Sequence, residues 1–226
     1  MTATARPAGA RAAGLTRDQI IDAAIELLDD SGDAGLTFRA LALKLHTGHG
    51  AIQWHVTNKS ELLVAATVAT LTRALTEPVP DASPREIIRA IGLGVFTAIE
   101  AHPWLGSQLF ATPWQSAMVQ LWEQIGRPVE ALGVPSDALF TAVSTLVNYI
   151  VGVGSQNAVN THILAAGADR ETFLNTVADR WESFDLREGS LISRLAAQLR
   201  VHGDREEFLA GIDIILAGLE ATYRPA

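Results

Sequence analysis

Apolar residues recur at helical spacing along nearly the whole chain, and strand-type alternation is absent. Ile20, Ala24, Leu27 and Leu28 form the first stripe, widened by Ile21 and Ile25. Thr16 followed by Gln19 predicts a capping box opening this helix. Asp29-Asp30-Ser31-Gly32 predicts its end, with Gly32 suited to a left-handed C-terminal position. Thr37 is the N-cap candidate of a second helix through Leu45 that buries Leu41 and Leu45. Gly50 to His55 makes a short third helix, and Asn58 with Glu61 opens a fourth that runs to about Leu75. The segment from Glu77 to Pro84 holds three prolines, which fix φ and remove donors, so it marks a seam. Beyond it the pattern predicts helices over 85–101, 104–111, 114–132, 136–160, 169–185, 188–201 and 204–222. Pro128 should kink or split the third of these. The expectation is an all-α chain: a flexible arm (1–14), a three-helix domain (15–60) and a larger helical domain (61–226).

Residues 36–63 carry the most specific pattern. A short apolar-striped helix, a small-residue turn, a second very short helix and an aromatic-histidine exit make a helix-turn-helix. The second helix of such a unit is narrow enough to enter the DNA major groove, where base edges are read. Arg39 and Lys44 on the first helix can reach phosphates, contacts that set register but not sequence. Thr47, Gly48, His49, Gly50 and Ala51 bring small side chains (His49 excepted) and free N–H groups to the start of the second. Gln53 can pair bidentately with adenine, and Ala51 can pack on a thymine methyl. Trp54 fits either the core or a phosphate contact. His46, His49 and His55 have no carboxylate or thiolate nearby in sequence, so they do not read as a zinc site.

The ordering also resembles the DNA-binding domain of the TetR family of transcription regulators. Leu36-Thr37-x-Arg39, Leu41-Ala42-x-Lys44-Leu45, Trp54-His55-Val56 and Asn58-Lys59-x-x-Leu62-Leu63 carry the resemblance. It implies backbone contacts from Trp54, His55 and Lys59, and a two-fold dimer on near-palindromic DNA. Two positions depart from the family pattern: Gln53 replaces the usual aromatic, and His46 stands where the turn usually has Gly. Gly48 and Gly50 flank the start of the third helix, which is then ordered by DNA.

Charge changes the picture. The net charge of −8 argues at first against nucleic acid, but residues 1–60 carry six basic groups and six acids, so the excess lies beyond them. Residues 34–60 hold Arg39, Lys44 and Lys59 and no acid, a locally positive patch of the kind phosphate contact requires. Arg6, Arg11 and Arg17 read as solvated tail or as minor-groove arm. Without cysteine the chain needs no oxidising compartment. With no long apolar run and no signal-peptide pattern, the expected location is the cytoplasm.

In the larger domain, 136–160 and 204–222 are the candidates for the four-helix dimer interface that the resemblance implies. Ala142, Leu146, Tyr149, Ile150 and Val153 stripe one, with Gly152 and Gly154 permitting close approach. Phe208, Ile212, Ile215, Leu216 and Leu219 stripe the other. The same stripes also fit a monomer core. Phe96, Trp104, Phe110, Trp114 and Trp122 crowd one span, and suggest a pocket for a largely apolar ligand with Ser144, Asn148 or Gln156 as polar anchors. His102, at a helix break before Pro103, suits a surface or capping role. No nucleophile elbow, zinc-protease motif or phosphate loop occurs, Asp169-Arg170-Glu171 reads as a solvated helix start, and nothing calls for a cofactor. The expected function is a repressor released from its operator by a small molecule. The alternative is a helical carrier or scaffold without sequence-specific DNA binding.

Overall fold

The computed structural model describes residues 15–75, 81–111, 116–165, 169–184 and 189–223, apart from the side chains of 162–165. The expected arm, residues 77–80 of the proline seam and Trp114 lie outside the described residues. Eleven α-helices make up the regular structure among these residues: α1 (Arg17–Gly35), α2 (Phe38–Lys44), α3 (His49–Gln53), α4 (Lys59–Ala74), α5 (Pro84–Ala101), α6 (Trp104–Ala111), α7 (Ser116–Ala131), α8 (Leu139–Ala165), α9 (Arg170–Glu182), α10 (Leu191–Leu199) and α11 (Asp204–Tyr223). They divide into two compact units, Met1–Ala66 and Thr67–Ala226. The division falls inside α4, beyond the expected edge at residue 60.

In the first unit the caps behave as local chemistry dictates. Thr16 and Gln19 close a reciprocal capping box, and Thr37 Oγ1 accepts from the Ala40 amide at 3.1 Å. Gly32, at φ 62°, breaks the helical backbone within α1, so Asp33 and its neighbours form a separate last turn. Ile20, Ala24, Leu28, Leu36, Leu41, Ile52, Val56 and Leu62 are buried together as one small core. Leu45 is only partly buried.

In the second unit α5 and α8 form the centre, with α7, α6 and α11 packed around them and α10 lying on α9. Ile88, Val95, Phe96 and Ile99 of α5 meet the Leu146, Ile150 and Val151 side of α8 in the core. Helix α7 runs through Pro128 without being split. Phe96 stacks on Phe208 of α11, ring centres 4.5 Å apart. Arg85 and Arg89 of α5 both hold Asp213 of α11, and Arg85 also reaches Glu220. These pairs hold the Asp213 carboxyl below the usual carboxylate range, the Arg89 hydrogen bond first among the causes.

The expected interface stripes belong to this core. Ala142, Leu146 and Ile150, and likewise Phe208, Ile212 and Leu216, are buried within the chain itself. Tyr149 donates to the Phe208 carbonyl at 3.1 Å, which ties α8 to α11. The glycine pair is divided as well. A Cβ at Gly154 would stand 3.2 Å from Ile99, so this glycine serves the contact with α5, whereas Gly152 faces open space. A helical stripe specifies burial but not the surface that covers it.

Candidate DNA interface and effector cavity

The turn between α2 and α3 is built around His46. The Thr47 amide donates to the Ala42 carbonyl (3.0 Å) and the His46 amide to the Leu43 carbonyl (3.3 Å), a Schellman pair of bonds. Such a cap puts one residue in the left-handed region, and His46 takes that place at φ 50°. The turn therefore keeps the geometry a glycine would give, at the cost of backbone strain. Gly48 then starts α3 without a side-chain cap.

This geometry splits α3 cleanly. Ile52 is fully buried and anchors the helix, while His49, Gly50, Ala51 and Gln53 are exposed around it. Trp54 is 86% exposed, which excludes the core role weighed for it. The indole lies in water beside the exposed Gly50, Ala51 and Gln53. His49 also packs against Phe38 of α2, ring centres 5.1 Å apart, so that side chain is partly committed to positioning α3. Arg39, Ala42, Leu43, His46 and Thr47 line a shallow concavity on the same unit.

The lysines are less free than their sequence neighbourhood implies. Lys44 pairs with Glu26 of α1 at 2.6 Å, a hydrogen bond that raises the lysine pKa. Lys59 pairs with Asp33 at 3.1 Å and also donates to the Asp33 carbonyl. The acid-free stretch 34–60 thus folds against acids that precede it. Arg39 is exposed, with no ion-pair partner among the described residues. Glu61 accepts from the Thr57 amide (2.8 Å), the chief cause of its lowered pKa, and from Arg17 (3.1 Å). Arg17 thus serves the fold as well as any arm. His55 is half-buried beneath this surface.

In the second unit a cavity of about 450 Å³ opens among α5, α8, α9, α10 and the start of α11. Phe96, Phe173, Leu174 and Trp181 supply its apolar wall. The polar side is a connected network. Arg170 donates to Asp204 (2.7 Å) and to the His202 carbonyl (3.2 Å). The ring nitrogens of His202 face the Leu199 carbonyl (2.8 Å) and Asp204 (3.0 Å). Asn157, buried, donates to Glu100 at 3.2 Å, and Gln156 and Asn160 line the same space.

Of the described residues expected to hold a ligand, only Phe96 and Gln156 line this cavity. Trp104 is buried at the start of α6, its ring 6.0 Å from His102. Trp122 packs on Phe140, 5.2 Å between ring centres, and Phe110 is half-exposed. Ser144 and Asn148 bond to each other along α8 at 3.1 Å. The aromatic cluster seen in sequence is dispersed because its members sit on three helices and face different ways. Arg170 is the converse error: Asp169 caps α9 as expected, yet the next residue turns into the cavity. The titratable residues flanking Gly203 were the available signal for His202 and Asp204.

A buried anchor, an exposed recognition helix and a separate helical body with its own cavity define a helix-turn-helix transcriptional regulator. Residues 20–66 match the model for bacterial regulatory proteins of the tetR family, and residues 77–223 match the tetracyclin repressor-like C-terminal domain. The chain belongs to the TetR family of transcriptional regulators. It is similar to the transcriptional regulator SCO7222, a TetR from Streptomyces coelicolor, with 47% identity, a TM-score of 0.84, and coverage of 93% of this chain and 100% of that one. It is 26% identical to an HTH-type transcriptional regulator of Saccharopolyspora erythraea over 92% of this chain and 86% of the relative. ActR of Streptomyces coelicolor, in complex with actinorhodin, shares the fold at 22% identity and a TM-score of 0.75, covering 94% of this chain and 100% of that one. No helix among the described residues is long and apolar enough to cross a membrane.

Proposed function

We propose that this regulator is a repressor that reads a near-palindromic operator as a homodimer and releases it when a small, largely apolar ligand fills the cavity beside α9. The observation that carries the DNA reading is the division of α3, with Ile52 buried and Gln53 and Trp54 exposed. Gln53 and Ala51 face base edges, and Arg39, Lys44, Trp54, His55 and Lys59 face the backbone around them. Thr47, Gly48, His49 and Gly50 shape the approach.

The dimer forms through the outer faces of α8 and α11. Those faces present Thr145, Gly152 and Val159 on α8, and Ala210, Ile214, Ala217 and Gly218 on α11, small and apolar and exposed or half-exposed. Such faces let two helix pairs approach closely. ActR holds actinorhodin, and the cavity here supports a similar role for the body: an aromatic wall faces a polar edge that can orient one oxygen-bearing group. The chain acts by binding rather than catalysis, in the cytoplasm with the chromosome.

Operator selection from random duplexes, with light scattering of the protein alone, tests the first part. A monomer, or selected sites without two-fold symmetry, refutes it. For the second part, apolar compounds are titrated while tryptophan fluorescence and operator binding are followed together. Ligand that quenches fluorescence in the parent but not in Trp181→Ala, and that releases DNA, is the expected result. Quenching without any change in operator affinity separates the cavity from regulation.

A further inference from the structure

We infer that a second cleft on the body, distinct from the cavity beside α9, binds an organic anion with a compact apolar body. The cleft encloses about 550 Å³ between the last turns of α4, the Leu93–Thr97 side of α5, and Arg205 at the start of α11. Two arginines, Arg73 and Arg205, line it together with His102, and no carboxylate is among its described lining residues. In a chain of net charge −8, a lining with two guanidinium groups is a departure from the surroundings, of the kind that attracts anions.

A buried hydroxyl in the same lining points to a ligand independently of the charges. Thr70 is 4% exposed, and its Oγ1 is the single buried side-chain polar atom among the described residues without a hydrogen-bond partner. A buried polar group left unpaired is costly and calls for an explanation, and a ligand oxygen in this cleft supplies the missing partner. Arg205 donates to Thr97 Oγ1 at 3.0 Å, which fixes its guanidinium at the cleft. A guanidinium so held can present a planar pair of donors to a carboxylate or phosphate. The remaining walls are Ala90, Leu93 and Ala98 with Gly94 and Ala101, small and apolar, so the rest of the ligand is apolar as well.

The cleft also bears on α4. A Cβ on Gly94 would come within 2.4 Å of the Ala74 carbonyl, so α5 touches the end of α4 backbone to backbone beside the cleft.

Calorimetry on the full chain with 2-naphthoate, 2-naphthamide and inorganic phosphate tests the inference. Naphthoate is expected to bind at least about tenfold more tightly than the neutral amide. Arg73→Gln and Arg205→Gln should each weaken it by about ten- to a hundredfold, the size of one lost charge-assisted bond. Thr70→Val should raise the melting temperature of the free protein while weakening naphthoate, a combination that a purely structural threonine would not give. Displacement of naphthoate by phosphate supports a phosphate-bearing ligand, and its absence supports a carboxylate. Absence of naphthoate binding at millimolar concentration, equal binding of the amide, or unchanged binding in both arginine variants overturns the inference. So does binding lost in Trp181→Ala alone, which would place naphthoate in the other cavity. Failure of the α9 cavity as effector site leaves these outcomes unaffected.

Discussion

Replacing Asp33 by asparagine should tighten operator binding, because Lys59 has to leave Asp33 to reach a phosphate. The pair is 3.1 Å apart, with side chains 38% and 58% exposed. Two unit charges at that distance in bulk water attract by about 1.3 kcal/mol, reduced to roughly 1 kcal/mol at physiological ionic strength. The cost of ordering two exposed side chains brings the net to about 0.5–1 kcal/mol. Asp33→Asn keeps the backbone carbonyl that Lys59 also uses and removes only the charge. The expected gain in operator affinity is therefore roughly two- to fivefold per subunit. Fluorescence anisotropy with the selected operator, from 50 to 200 mM salt, measures it. Lys59→Ala should lower the slope of log K against log salt by about 0.9 per subunit. The decisive arm is the double variant: with Lys59 removed, Asp33→Asn should change affinity by less than about twofold. An equal gain with and without Lys59 would refute the reasoning, since it would show a diffuse field effect rather than release of a tethered lysine.

Gln53→Ala should cost about 1–3 kcal/mol on the best operator and little on mismatched duplexes, read as a flattened preference in competition binding. His46→Gly should stabilise the first unit by about 1 kcal/mol by relieving the left-handed strain, visible as a higher urea midpoint at unchanged slope. Ile214→Glu, on the exposed face of α11, should convert the dimer to monomer in light scattering with the melting temperature nearly retained. Asp213→Asn should lower the melting temperature at neutral pH. Because the folded carboxyl is held below its ordinary value, its contribution is present above about pH 4 and fades as pH falls further, so the two proteins should converge in acid.

Features set by neighbours along the chain were legible from sequence, and features set by packing across it were not. The Thr16–Gln19 box, the Thr37 cap, the Gly32 break and the Asn58 cap each depend on groups within four residues, and each forms. The turn was legible in part: His46 in a glycine's usual place left either a left-handed residue or a different turn, and the left-handed residue is what forms. The burial stripes on α8 and α11 were recognised, but their partner was not, because periodicity describes one helix and burial involves two. Ile150 and Ile212 face the same chain, whereas Ile214 is exposed. The aromatic run failed for the same reason: residues close in sequence at Phe96, Trp104 and Trp122 stand on successive helices whose turns aim them apart. The cavity instead joins residues far apart, Phe96 with Arg170 and His202, which no local pattern connects.

If Lys44 and Lys59 meet phosphates as proposed, their ion pairs give an acidic chain a way to discriminate among DNA sequences. Phosphate contacts raise affinity for every sequence alike, so each lysine held by Glu26 or Asp33 lowers nonspecific binding first. Gln53 and Trp54 at the end of α3 are exposed, and in the proposed docking they meet base edges and the flanking backbone. On a correct operator their contacts compensate for breaking the pairs, and on a wrong one they do not. Specificity is the difference between those two cases, and it grows when the sequence-independent term is kept small. In that docking the acids Glu26 and Asp33 take part in recognition through the lysines they hold. Their removal should raise affinity and reduce selectivity together.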